Sequence, residues 1–225
     1  IPLGDWIEGG LDFLTTEFSG VTRAISRGTQ TGINLLNDGL MWLPEWALIA
    51  AVVLLCWKAG GRRLAIGALI GLSLIWNLGL WNPMIQTLTL VVIATLVAIV
   101  IALPLGILAA VSDRFYKVIM PILDFMQTMP AFVYLIPAIP FFGIGSVSGI
   151  FATVIFSMPP AIRFTTLGIR QVPKDLIEAA DAYGSTRSQK LIKVQLPLSL
   201  PTLMGGINQT IMLALSMVVI AAMIG

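Results

Sequence analysis

Three long stretches of the chain contain no Asp, Glu, Lys or Arg: Leu64 through Ser112, Phe125 through Ile162, and Val194 through Gly225. A bilayer's hydrocarbon core is crossed by about 20 apolar residues of helix, so each stretch has room for one or two spans. In lipid the backbone must satisfy its own hydrogen bonds, and a helix does so within a single segment. The runs therefore predict an all-α, polytopic membrane helical bundle. Composition agrees, with 57% hydrophobic and only 11% charged residues over 225 positions, against about a quarter charged in a soluble domain. The single cysteine, Cys56, sits inside an apolar run and excludes an internal disulfide framework or a zinc pattern. The chain has no histidine, which removes the commonest catalytic base and metal ligand.

Residues 1–42 are amphipathic rather than apolar. Leu11, Leu14, Phe18, Val21 and Ile25 recur at steps of three and four, which places them on one helix face. Two readings fit: a surface helix packed on the rest of the protein, or a helix lying in the membrane interface with Trp6 and Trp42 near headgroup depth. Residues 43–81 hold two accessory spans, about 43–57 and 64–81, separated by Lys58-Ala-Gly-Gly-Arg-Arg63. Residues 84–225 hold the remaining four, about 84–111, 118–140, 150–162 and 203–225, with a charged loop over 163–199. The chain opens on Ile1 and ends in apolar sequence at Gly225, so it is expected to be a truncated piece of a longer protein.

Orientation follows from Lys and Arg, which accumulate in cytoplasmic loops. Eleven of the thirteen basic residues fall on alternate loops: Lys58, Arg62, Arg63, Arg114, Lys117, Arg163, Arg170, Lys174, Arg187, Lys190 and Lys193. The intervening loops, near Asn82 and from Phe141 to Ser148, have none. The basic set is expected in the cytoplasm and the N-terminal segment outside it.

The segment Glu178-Ala-Ala-Asp-Ala-Tyr-Gly184 is a charged, helix-favouring island between apolar runs. Pro173 suits a helix start, and Gly184 permits the backbone to turn. Ser185 or Thr186 would then cap a second helix through Lys193, which Pro197 and Pro201 are expected to end. Ala179, Ala180 and Ala182 carry little bulk, so another protein could approach closely. A plain polar connector between spans fits the same residues.

The pattern E-A-A, three residues, G, nine residues, then I-x-L-P resembles the loop signature of permease subunits in binding-protein-dependent ABC importers. It is filled here by Glu178, Ala179, Ala180, Gly184, Val194, Leu196 and Pro197, with Val194 in place of Ile. The longer stretches 121–138, 156–173 and 206–225 are similar to the glycine betaine/proline betaine branch of that family. The resemblance implies a type I (MetI-like) permease architecture. It also implies a homodimer working with two cytoplasmic ATPases and an extracytoplasmic substrate-binding protein or fused domain. In it Glu178, Ala179, Ala180, Asp181 and Gly184 belong to a coupling helix docked on the ATPase. The chain has no G-x-x-x-x-G-K-[ST] phosphate loop. ATP and Mg are therefore expected in the partner subunit, with no cofactor, metal or nucleic acid bound by this chain and no enzymatic activity of its own. The setting implied is a bacterial or archaeal cytoplasmic membrane, and the implied cargo is a compatible solute such as glycine betaine, proline betaine or choline.

Candidate pathway residues come from polar groups inside apolar runs. Asp124 is the only charge within a candidate span, with Gln127 and Thr128 on its helix face and Pro130 just beyond. It lies near a span end in solvent, or it lines or gates the path. Pro130, Pro137, Pro140, Pro159 and Pro160 are kinks or hinges. Asn208, Gln209 and Ser216 in the last span bond across a dimer seam or line a pore. Phe125, Phe132, Tyr134, Phe141 and Phe142 could face a quaternary ammonium, or simply pack. An importer for an amino acid or oxyanion would share most of these features. A secondary transporter would show inverted repeats and midplane ion ligands; the sequence shows no internal repeat, and the island would then lack a purpose. A scaffold without transport would leave the proline-rich, polar-dotted spans unexplained.

Overall fold

The computed structural model describes residues 15–223, and every regular element among them is helical. In chain order these are α1 (Ser19–Trp42), α2 (Glu45–Asn77), α3 (Trp81–Val111) and α4 (Asp113–Thr128). A 3-10 turn, Ala131–Tyr134, leads into α5 (Leu135–Phe142). Then come α6 (Ser146–Arg170), α7 (Lys174–Ala182) and α8 (Arg187–Lys190). A π turn, Leu191–Gln195, joins α8 to α9 (Leu196–Ala222). Among the described residues three helices are long and apolar enough to cross a bilayer: α3, α6 and the run Arg187–Ala222. Two bent pairs also qualify when each is joined, α1 with α2 at 96° and α4 with Ala131–Phe142 at 115°. Six separate spans were expected, and the structure offers three, or up to five.

The difference has local causes. Residues 45–77 form helix on both sides of one glycine, Gly61, with φ 76°, a conformation that costs a side chain but not glycine. Leu72 after this break joins the apolar cluster of Ile49, Trp81 and Ile85, which also holds Val53 from before it. A straight helix would set Leu72 about 34 Å from Ile49, so the two halves fold back at Gly61. The expected loop at 58–63 is thus a one-residue break. Near the other end, Pro197 and Pro201 do not end the helix. The Leu196 N–H donates to the Leu191 carbonyl five residues back, and the π turn absorbs the proline's missing donor. α6 likewise starts earlier and runs further than 150–162, and continues through Pro159 and Pro160, both buried.

α6 is the central helix, with α3 and α9 against it. The contact works by small residues. A methyl group on Gly206 would come within 2.6 Å of Phe164 Cβ, and one on Gly106 within 2.6 Å of Thr165 Cβ. Gly168 faces Ser199 and Thr202, and Gly149 faces Ala221. In lipid, where burying Leu against Leu gains little over Leu against acyl chains, such close backbone approach supplies the dispersion energy that associates helices. The buried Thr166 hydroxyl adds a polar tie, 2.8 Å from the Ile162 carbonyl in its own helix and 3.0 Å from the Gly106 carbonyl of α3. Around this trio, Tyr134, Leu135 and Ala138 of the 3-10/α5 segment pack on Ala152 and Met217. α1 has no buried residue, yet Ile33 packs on the α3–α6 cluster of Ala94, Ala98, Ile150 and Val154. Of the amphipathic face expected there, Leu11 and Leu14 lie outside the described residues, as does Trp6.

Adjacent glycines in α9 give opposite expectations. Gly206→Val drives its side chain into Phe164 and is expected to cost about 1–3 kcal/mol or more through overpacking. A Cβ on Gly205 meets nothing nearer than the Phe164 ring at 3.5 Å, so Gly205→Ala is expected to raise stability by up to about 1 kcal/mol through helix propensity. Thermal denaturation of the detergent-solubilised protein checks both signs.

Candidate functional site

The island at 174–190 forms a compact corner beyond the C-terminal end of α6. Pro173, with φ −53° and ψ 134°, turns the chain out of α6 and starts α7. α7 ends in a complete Schellman motif. Gly184 takes φ 74°, its N–H donates to the Asp181 carbonyl at 2.9 Å, and the Ser185 N–H donates to the Ala180 carbonyl at 3.0 Å. This explains why glycine stands at this position: the motif requires a left-handed residue there. Of the two capping residues expected for the next helix, Thr186 serves. Its hydroxyl accepts from the Gln189 N–H at 3.3 Å, while the Gln189 side chain accepts from the Thr186 N–H at 2.8 Å. That reciprocal pair is a capping box. Lys190 of α8 pairs with Asp181 of α7, so both helices of the corner are tied to each other.

The corner presents its outer surface freely. α7 has no buried residue; Glu178, Ala179 and Asp181 are exposed and Ala180 is half-buried. Tyr183 is 91% exposed, and Leu176 and Ile192 are also open. Val194 and Leu196 are half-buried and Pro197 exposed within the π turn and the start of α9. The matched residues therefore fall into two groups: an exposed docking-sized helix, and the base of α9.

The pathway candidates do not converge. Asp124, Gln127 and Thr128 lie exposed on the last turns of α4, and Pro130 follows the break. The Thr128 hydroxyl donates to the Phe125 carbonyl within its own helix at 2.8 Å. Asn208, Gln209 and Ser216 are exposed on α9, whose opposite face of Leu203, Gly206, Thr210, Ala214 and Met217 is buried. Ser216 donates to the Met212 carbonyl of the same helix. No hydrogen bond among the described residues joins the α4 group to the α9 group. Two of the five aromatics are packing elements: Tyr134 meets Phe156 edge-on at 5.6 Å and Phe142 lies 4.8 Å from Phe151. Phe125 and Phe132 are exposed.

One ion-pair partner of a candidate residue escaped the sequence reading. Asp124 is not simply solvated: it accepts from Arg163, which is a residue of α6 rather than of the loop that follows. Both were visible as isolated charges bordering the charge-free run 125–162, a signal that could have suggested the pairing.

With the geometry established, comparison with known proteins places it. Residues 102–225 match the family described as "Binding-protein-dependent transport system inner membrane component", and the chain belongs to that family. It is 52% identical, over its full length and 80% of the relative, to the glycine betaine transport system permease protein OpuAB of Bacillus subtilis. Identity is also 52% to the glycine betaine/carnitine transport permease protein GbuB of Listeria monocytogenes, again over the whole chain and 81% of the relative. Against the glycine betaine/proline betaine permease protein ProW of Escherichia coli it is 47%, covering 63% of that protein. Among solved structures it resembles the inward-facing MetNI methionine ABC transporter, with a TM-score of 0.53 and 26% identity over 58% of this chain and 67% of that one. The chain is accordingly a multi-pass membrane permease component of the ABC importer class, of helical MetI-like fold, and the identity of its relatives continues into the N-terminal helices.

A left-handed residue with a Cβ costs about 1–2 kcal/mol. Gly184→Val is therefore expected to open the C-terminal turn of α7 and expose the Gly184 and Ser185 amides to hydrogen exchange. Gly184→Asn, which tolerates that conformation better, is expected to keep most of the protection.

Proposed function

We propose that the chain is the membrane-spanning permease subunit of an ATP-driven importer of compatible solutes, carrying glycine betaine, proline betaine, choline or a similar quaternary amine in osmoprotection. The observation that carries this reading is the full-length relationship to glycine betaine permeases at 52% identity, supported by the exposed α7 corner where the family's loop signature falls. In this reading two copies of the chain form the pathway. Two cytoplasmic ATPases bind α7, and ATP and Mg belong to them. An extracytoplasmic binding protein or fused domain delivers the solute. α7 and the basic residues face the cytoplasm, and residues 1–42 face the other side of a bacterial or archaeal cytoplasmic membrane.

The mechanism follows from linkage. ATP-driven closure of the ATPases moves the spans only if closed and open ATPases bind two arrangements of the permease with different affinity. α7 suits that task because it is short, started by Pro173 at one end and, at the other, capped by Gly184 and braced to α8 by Asp181–Lys190. The exposed Glu178 and Ala179, with the half-buried Ala180, are the part of α7 that meets an ATPase groove, while Val194, Leu196 and Pro197 connect the corner to α9. Asn208, Gln209 and Ser216 supply uncharged polar groups to the seam or the path. Asp124, Gln127, Thr128 and Pro130 stand at the bend between α4 and the 3-10 turn.

Two experiments bear on this. Vesicles carrying the complete importer are expected to accumulate glycine betaine only with internal ATP; uptake that persists without ATP sinks the reading. Ala179→Trp places bulk on the docking face and is expected to reduce co-purification of the ATPase while leaving the permease folded. Unchanged association would remove α7 as the docking element.

A further inference from the structure

Both ends of α4 are fastened to α6 by ion pairs, and a cavity opens between the fastenings beside the buried Leu123. At the near end, Arg170, the last residue of α6, donates to Asp113 at 2.7 Å and to the Ala109 carbonyl of α3 at 2.9 Å. Its guanidinium also lies 4.2 Å over the Tyr116 ring. Seven residues back along α6, Arg163 donates to Asp124. Between them lies a cavity of about 300 Å³, lined by Tyr116, Met120, Phe164 and Leu167 as well as by both arginines. Beside the cavity, Leu123 of α4 is buried against Ala161 and Ile162 of α6, so α4 has room to shift on the cavity side while that contact holds.

The two fastenings are unequal. Arg170 has a carboxylate, a backbone carbonyl and an aromatic face. Arg163 has Asp124 alone, and its Nε is buried with no hydrogen-bond partner among the described residues. An unpaired buried donor is costly; both carboxylates are exposed, Asp124 at 65% and Asp113 at 83%, so the two ends differ in the number of partners each arginine has and not in exposure. The firm end is therefore Arg170 and the weak end Arg163. Beyond Asp124 the chain leaves α4 and bends by 115° at Met129–Pro130, with the Tyr134 hydroxyl donating to the Met126 carbonyl across the bend. In the other direction α6 passes within three residues into α7.

We propose that α4 is the linkage that carries motion of the α6–α7 corner to the bend at Met129–Pro130, pivoting at Arg170–Asp113 and releasing at Arg163–Asp124 in each transport cycle. The proposal rests on the reading of α7 as the element that docks the ATPase. Asp124 and Arg163 are then positioning residues: they hold one of two arrangements of the bend, and ATP-driven movement of α7 favours the other. In the released arrangement the Arg163 Nε is free to find the partner it lacks here.

The test uses the complete importer in vesicles, with glycine betaine uptake and ATP hydrolysis measured on the same preparation. Asp124→Asn preserves shape and removes the charge. It is expected to leave hydrolysis in place while uptake per ATP falls about tenfold, within the usual range of coupling between sites. Arg163→Asp is expected to do the same, and the double reversal Arg163→Asp with Asp124→Arg to restore most of the uptake. In a Cys56→Ala background, Asp124→Cys with Arg163→Cys can be bridged by a cleavable bifunctional thiol reagent. Bridging is expected to stop uptake without releasing the ATPase, and cleavage to restore it. Because the bridged and cleaved samples are the same protein, this comparison decides even if Asp124→Asn assembles poorly. An unchanged uptake-to-hydrolysis ratio in Asp124→Asn, or uptake unaffected by the bridge, overturns the linkage. ATP-independent uptake by the unsubstituted importer overturns the functional reading beneath it instead.

Discussion

The closeness of α6 to its two neighbours is the constraint on which the rest of the molecule depends. A bilayer offers apolar side chains nearly the same surroundings as the protein interior does, so hydrophobicity alone does not bring helices together. Gly106, Gly206, Gly168 and Gly149 remove the side chains that would hold the backbones apart. What remains is dense contact between Phe164, Thr165 and Ile162 and the facing helices, with the Thr166 hydroxyl bridging to α3. Two buried prolines sit in the same helix without ending it.

That rigid centre has an uneven periphery. The α7–α8 corner has no buried residue and is shaped by local devices: a proline start and a Schellman glycine for α7, a capping box for α8, and one ion pair between them. α4 touches α6 through two ion pairs and through Leu123, which is buried against Ala161 and Ile162. α1 lies along α3 and α6 through residues such as Ile33 with none of its own residues buried. A stiff middle with lightly attached outer pieces suits a protein whose parts must occupy two arrangements, since close-packed interfaces switch between discrete states rather than deforming continuously.

The uncharged runs made α3, α6 and α9 legible, because a stretch without charges has few homes other than lipid. The island was legible for the opposite reason, and Gly184 could be read as a turn because few other residues accept its backbone. The misreadings came from punctuation. Pro197 and Pro201 would end a helix in water, but here the helix goes on through both, Pro197 following directly on a π turn and Pro201 lying inside α9. Gly61 breaks a helix without opening a loop. Asp124 and Arg163 lie 39 positions apart, and hydrophobic periodicity says nothing about pairs that only tertiary packing brings together. Asn208, Gln209 and Ser216 share an exposed face of α9 that periodicity could suggest, but which neighbour that face meets is not encoded in its spacing.

The π turn at Leu191–Gln195 has a consequence for direction as well as continuity. It takes up one more residue than an α-helical turn would, and each helical residue advances the side-chain direction by about 100°. α8 and α9 are thus one rod with a built-in phase step at its base. The step determines which way the whole of α9 is turned, so that Gly206 meets Phe164 while Asn208 and Ser216 point outward. The compass bearing of the polar stripe is set some fifteen residues below it, beside the corner that α8 shares with α7.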